Sequence, residues 1–143
     1  APWACDGTPG GYAVYEFDGG KVNWYYKCVG KDKDYKFELY PVGASRNKKE
    51  AVVANVWNYD STWKVKWYEN GIDKGEMTRF SGYDPAIYEY CEKNSSTFKH
   101  KYLGADITEH LFYAVPETKD SEIRVEVTDH CGNVYTRKMQ QSK

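Results

Sequence analysis

Histidine is the side chain best suited to proton transfer and metal ligation near neutral pH, and this chain has three: His100, His110 and His130. His110 has the most favourable setting for a general base, in Thr108-Glu109-His110-Leu111-Phe112, with a carboxylate before it and an apolar run after it. The same setting suits a structural hydrogen bonder at the start of a strand. Asp129 and His130 form a second acid–imidazole pair, in a turn where Asp is also favoured for its bonds to backbone. A two-metal hydrolase needs Asp, His and Asn ligands in short clustered motifs. No D-x-H, G-D-x-x-D, G-N-H or G-H-x-H string occurs in the sequence, nor a G-x-S-x-G nucleophile elbow or a Walker phosphate loop. The expectation is therefore no catalytic residue, no cofactor site and no metal ligand in this chain. His110, Asp129 and His130 are the candidates to follow.

Other polar clusters are open to plain explanations. Asn58-Tyr59-Asp60-Ser61 reads as a loop between strands with Asp60 bonding its own turn, since a calcium loop needs a more regular spacing of Asp and Asn. Asp6–Gly11 (DGTPGG) could in principle hold an anion in a nest of backbone amides, but reads more simply as a plain turn. Cys5, Cys28, Cys91 and Cys131 include no C-x-x-C spacing, so zinc and thioredoxin-like chemistry are unsupported. Free buried thiols and one or more disulfides both remain open. Tyr25, Tyr59 and Tyr68 are candidate platforms for stacking sugar rings, although in a β-sandwich most aromatics fill the core or pad strand pairs.

The elements that position these residues can be read from periodicity. Trp63, Val65 and Trp67 alternate with Lys64, Lys66 and Tyr68, the pattern of a half-buried strand. Glu69-Asn70-Gly71 turns the chain. A two-residue loop would set Trp67 opposite Lys74, and a three-residue loop would set Val65 opposite Gly75 and Lys64 opposite Glu76; the second is preferred because it agrees with burial. Gly11–Phe17 and Lys21–Val29 form an aromatic hairpin around Asp18-Gly19-Gly20, with Val22, Trp24, Tyr26 and Cys28 on one face. Tyr35–Tyr40, His110–Ala114, Glu122–Asp129 and Val134–Met139 are further strands. Asp84-Pro85 starts a short helix over Pro85–Glu92. The resulting fold class is all-β, an immunoglobulin- or fibronectin-like β-sandwich with one short helix near residues 85–92. Pro41–Lys49 is either a linker or a long loop. As a linker it divides an N-terminal hairpin unit, 1–43, from a sandwich, 44–143.

The totals narrow the function classes. A net charge of −1, with charged residues at 29%, provides no field to attract nucleic acid or anionic lipid. Mean hydropathy is −0.82, yet aromatics make up 17% of the chain, including 14 tyrosines, enough apolar area for a core. No run approaches the roughly 20 apolar residues that span a bilayer, so no membrane insertion is expected.

Over nearly its whole length the sequence resembles the C-terminal domain of bacterial calcineurin-like metallophosphoesterases. The resemblance rests on Asp6–Lys27, Ala54–Pro85, Thr108–Pro116 and Arg124–Tyr135, and on N-V-W-N-x-D, W-K-V-x-W-Y-E-x-G and V-T-D-x-x-G-N-V-Y in that order. It implies a non-catalytic accessory domain that packs against, or shapes the substrate entrance of, an upstream metallophosphoesterase domain of the same polypeptide. It also implies a bacterial, extracytoplasmic location: periplasmic, cell-surface or secreted. The family's metal ligands belong to the preceding domain, so no catalytic residue carries over to this sequence. The alternatives are a module of immunoglobulin-like fold that binds glycans or cell-surface polymers, and a structural spacer.

Overall fold

The computed structural model describes residues 3–141. Ten strands run β1 (Gly11–Asp18), β2 (Lys21–Cys28), β3 (Phe37–Tyr40), β4 (Val52–Val56), β5 (Lys64–Glu69), β6 (Ile72–Glu76), β7 (Thr78–Tyr83), β8 (Ile107–Ala114), β9 (Glu122–Thr128) and β10 (Val134–Gln140). One helix, α1 (Pro85–Asn94), lies between β7 and β8. The strands form two four-stranded antiparallel sheets, ordered β10-β9-β5-β6 and β3-β4-β8-β7, and β1 and β2 form a separate two-stranded arm. The mainly β architecture with one short helix agrees with the expected sandwich. α1 begins where Asp84-Pro85 places it and runs two residues past Glu92.

A single core cluster draws inward residues from both sheets: Phe37, Val52, Val56 and Phe112 from one, and Trp67, Ile123 and Val125 from the other. The alternation predicted for β5 is present, with Trp63, Val65 and Trp67 buried. β4 is different, because all five of its residues are buried. Val52, Ala54 and Val56 face the core, while Val53 and Asn55 alternate to the outer face of the sheet. A strand covered on both faces needs a second layer. On the Asn55 side, Asp6 of the N-terminal segment and Asp84 at the start of α1 provide contacts from such a layer. β3, which precedes residue 43, pairs with β4, which follows it. The segment between them is a folded loop in which the buried Ser45 Oγ accepts from the Asn47 and Lys48 amides.

The register of the β5–β6 hairpin corrects the three-residue loop. Glu69 pairs with Ile72 and Tyr68 with Asp73, leaving Asn70-Gly71 as a two-residue turn, with φ of 50° and 83°. Two positive φ values match the twist of the strands, which is why Asn-Gly is favoured there. The register then slips, so Lys66, not Lys64, faces Glu76. A bulge near Gly75, at φ 85°, accounts for the slip. The same bulge allows Met77 to be buried despite the shorter loop.

The β1–β2 arm is anchored at its base and bare toward its tip. Tyr26 Oη donates to the Pro9 carbonyl at 2.6 Å, and the buried Lys36 ammonium donates to the Tyr26 carbonyl at 2.6 Å. Cys28, expected in the core, is 1% exposed. Tyr15 lies opposite Trp24, and Phe17 opposite Val22, so the four share one face. Trp24 stacks on His130 at 6.2 Å. Phe17, however, is 78% exposed, Tyr15 58% and Val22 52%. Apolar strand faces are normally covered, and beyond the Trp24–His130 contact this one is left exposed at Tyr15, Phe17 and Val22.

Candidate functional site

Asn55 is the polar residue in the Val-Val-Ala-Asn-Val run of β4, and it is fully buried. A buried amide must be hydrogen-bonded or it destabilises the fold. Its Nδ2 donates to Asp84 Oδ2 at 2.7 Å and to the Asp6 carbonyl at 3.1 Å. Both partners are acceptors, so Oδ1 is left to face His110 Nδ1, at 2.6 Å. That nitrogen therefore carries a proton, and a bond from Nε2 to a carboxylate requires a proton there as well. The other ring nitrogen, Nε2, lies 3.3 Å from Asp6 Oδ2.

His110 reaches this network because β8 is bulged. Phe80 pairs with Leu111 and Gly82 with Thr108, so Ser81 alone stands opposite both Glu109 and His110. An extra residue breaks alternation and re-aims a side chain. Asp84 serves two structures at once. Its Oδ1 accepts from the Ile87 amide at 3.0 Å, capping α1, and its Oδ2 accepts from Tyr40 Oη at 2.8 Å. Burial first, and then the neighbouring Asp84, push the Tyr40 phenol well above its ordinary range and keep it a donor. Gly7, at φ +84°, packs so closely that a Cβ there would lie 2.3 Å from Asp84 Cγ, so no other residue lets the N-terminal segment sit at this depth.

The result is one chain of contacts, Tyr40–Asp84–Asn55–His110–Asp6, joining β3, α1, β4, β8 and the N-terminal segment. Both His110 nitrogens are engaged, and neither contacts a hydroxyl or thiol nucleophile. The arrangement fastens a segment. The hydrogen bond from His110 is the largest influence on Asp6; with the Thr8 bonds assisting and partial burial opposing, the carboxyl is lowered from 3.8 to about 2. A depressed carboxyl contributes stability above its unfolded value, and that contribution is lost as pH falls through the folded one. The hold on the N-terminal segment should thus weaken between about pH 4 and pH 2. Carboxyl NMR is expected to give an Asp6 midpoint near 2 that returns toward 3.8 in His110→Ala; an unchanged midpoint would contradict the pairing.

The other two candidates lie elsewhere. Asp129 accepts from the Cys131 and Asn133 amides at 2.9 and 3.0 Å and from Tyr135 Oη at 2.8 Å. Burial would raise its carboxyl, but these bonds and the Asn133 side chain outweigh it and hold it below the usual range. The β9–β10 turn is built on that carboxylate. His130 is exposed against Trp24, and His100 stacks on Tyr102 at 5.3 Å. None of the three shares a hydrogen-bond partner with His110. Among the described residues, no group of three or more His, Cys, Asp or Glu side chains is placed to hold a metal ion.

Two further features bear on binding. A groove of about 590 Å³ is lined by Trp3, Pro9, Tyr35, Glu38, Tyr40 and Trp57. All three tyrosines named as sugar platforms have a cation over the ring. Arg124 lies 3.6 Å from the Tyr68 centroid, Lys33 4.2 Å from that of Tyr25, and Arg79 5.2 Å from that of Tyr59. In the groove, Arg137 and Lys31 lie over Tyr35 in the same way, at 4.7 and 5.3 Å.

Asp6, Asn55, Asp84 and Tyr40 were not among the residues singled out for chemistry. Asn55 carried a usable signal, as an amide in an otherwise apolar run. Asp84 was recognisable only as a helix cap. Nothing in the sequence linked Asp6 to His110, 104 positions away.

No curated protein and no solved structure matches the chain significantly. A family model described as the C terminal of Calcineurin-like phosphoesterase matches residues 1–135, which include every element from the N-terminal segment into β10. Through that match over almost its whole length, the chain belongs to the family of C-terminal domains of calcineurin-like phosphoesterases.

Proposed function

We propose that the chain is a non-catalytic accessory domain that packs against an upstream metallophosphoesterase domain of the same polypeptide, with the β1–β2 arm as the contact. The carrying observation is the uncovered aromatic face of the arm, with Phe17 at 78% exposure. Exposed contiguous apolar surface next to an anchored segment suits a docking surface better than a spacer. The arm follows directly on the N-terminal segment, which the Asp6–His110 network holds against the sandwich. An upstream domain attached there would lie beside the arm, where it could shape the entrance to the catalytic site. The family resemblance also supports a bacterial, extracytoplasmic setting for the whole polypeptide.

A glycan-binding role has the groove beside Trp3 in its favour, but the cation-capped rings of Tyr25, Tyr35, Tyr59 and Tyr68 give a sugar fewer free faces. The accessory role is tested by assay of the chain alone. No phosphatase or phosphodiesterase turnover is expected with Mn²⁺, Fe²⁺ or Zn²⁺ supplied. Metal-dependent turnover that survives rigorous purification and disappears in His110→Ala would overturn it.

A further inference from the structure

The four cysteines are all free thiols, and their surroundings separate them. Cys28 is buried with its Sγ 3.8 Å from the Tyr35 carbonyl. Cys131 is exposed in the β9–β10 turn, 3.9 Å from Asn23 of the arm. Cys5 and Cys91 share a different location. Together with Trp3, Ile87, Tyr90 and Phe98 they line one open pocket of about 380 Å³ between the N-terminal segment and α1.

Both sides of that pocket are fixed. The Cys5 carbonyl accepts from the Asp106 amide at 2.9 Å, and the turn carrying Cys5 is closed by Ala4 N–H to Thr8 O at 2.8 Å and Gly7 N–H to Ala4 O at 3.0 Å. Trp3 meets Tyr90 edge-on at 6.2 Å, beside Cys91. α1 is held by its Asp84 cap and the buried Ile87. Burial and then the neighbouring Cys5 push the Cys91 thiol up, whereas Cys5 is solvent-exposed. The two thiols thus differ in access, and the exposed one is the one that can reach a soluble oxidant.

We propose that Cys5 and Cys91 are a modification site, a thiol pair that a small-molecule or protein disulfide converts to an intramolecular disulfide fastening the N-terminal segment to α1. The Cys5 thiolate attacks the oxidant RSSR, forming Cys5–S–SR and releasing RS⁻, which takes up the proton Cys5 has lost. The Cys91 thiolate then attacks Cys5 Sγ, forming the Cys5–Cys91 bond and expelling the second RS⁻, which is protonated in turn. Two electrons pass from the cysteine pair to the oxidant, leaving two RSH. The bond would reinforce covalently the junction that the Asp6–His110 contact holds non-covalently, and it does not depend on the arm docking anywhere.

The test is incubation of the chain with oxidised glutathione, followed by alkylation under denaturing conditions and non-reducing peptide mapping. Before alkylation the expected product is monomeric and lighter by a pair of hydrogens; after it, mapping gives a Cys5–Cys91 cross-linked peptide with Cys28 and Cys131 alkylated. In Cys91→Ser, Cys5 should instead retain glutathione as a mixed disulfide. The oxidised wild type should also melt at a higher temperature, with the gain reversed by dithiothreitol. Stable glutathione adducts on both Cys5 and Cys91 of the wild type, or Cys5 paired with Cys131 or across two molecules, would overturn the proposal.

Discussion

Replacing Asp84 by alanine is expected to cost the chain about 3–7 kcal/mol, read as a lowered urea midpoint with little change in slope. The side chain is 1% exposed and accepts three hydrogen bonds, from Tyr40, Asn55 and the Ile87 amide. Loss of a helix N-cap costs roughly 1 kcal/mol. Each buried donor left without an acceptor costs about 1–3 kcal/mol more, and the Tyr40 hydroxyl and one Asn55 N–H would both be stranded. Asp84→Asn retains an oxygen for the Ile87 amide, so it should lie between the wild type and Asp84→Ala. If Asp84→Ala costs less than about 1 kcal/mol, the Tyr40–Asp84–Asn55–His110–Asp6 chain is not what holds the N-terminal segment in place.

The second large effect is expected away from the core. Tyr15→Ser combined with Phe17→Ser should change the stability of the isolated chain little, within about 0.5 kcal/mol, because both side chains are exposed. In the polypeptide where a phosphoesterase domain precedes this chain, the same pair should weaken inter-domain coupling by about 2–4 kcal/mol, since aromatic anchors dominate interfaces. The readout is faster proteolysis between the domains and a lower melting temperature of the catalytic part. A substitution that destabilises the isolated chain as much as the longer one would place Tyr15 and Phe17 in this domain's own packing, not at an interface.

These two expectations draw on different kinds of information. The arm was legible in the sequence as a Gly-Gly hairpin with aromatic strands, because turn chemistry and alternation are local. Its bareness was not, since the same pattern would describe a covered hairpin; Cys28 and Val22 share a predicted face, but one is buried and the other exposed. The Asp84-Pro85 helix start was likewise local and held. The polar network was not legible as a whole, because its members come from five separate parts of the chain and a bulge turns His110 toward Asn55. The β5–β6 register failed for a related reason. Burial favoured a three-residue loop, but Asn70-Gly71 took the two-residue turn and a second irregularity near Gly75 restored the burial of Met77.

His110 illustrates how an apparent catalytic signal is absorbed by structure. A carboxylate neighbour in sequence, Glu109, suggested a base and its partner, yet Glu109 pairs with Arg79 on the exposed side. The carboxylate that meets the ring is Asp6, from the segment that leads into the domain. The contact gives the imidazole a positioning role, consistent with the proposed accessory task of staying fixed relative to an upstream domain.

Hydroxyl-radical footprinting of Tyr15 and Phe17 tests that task most directly, comparing the isolated chain with the polypeptide that carries the phosphoesterase domain. The docking account predicts ready oxidation of both side chains in the isolated chain and a several-fold drop in the longer one, with exposed Tyr102 unchanged as an internal reference. Equal oxidation of Tyr15 and Phe17 in the two would contradict it.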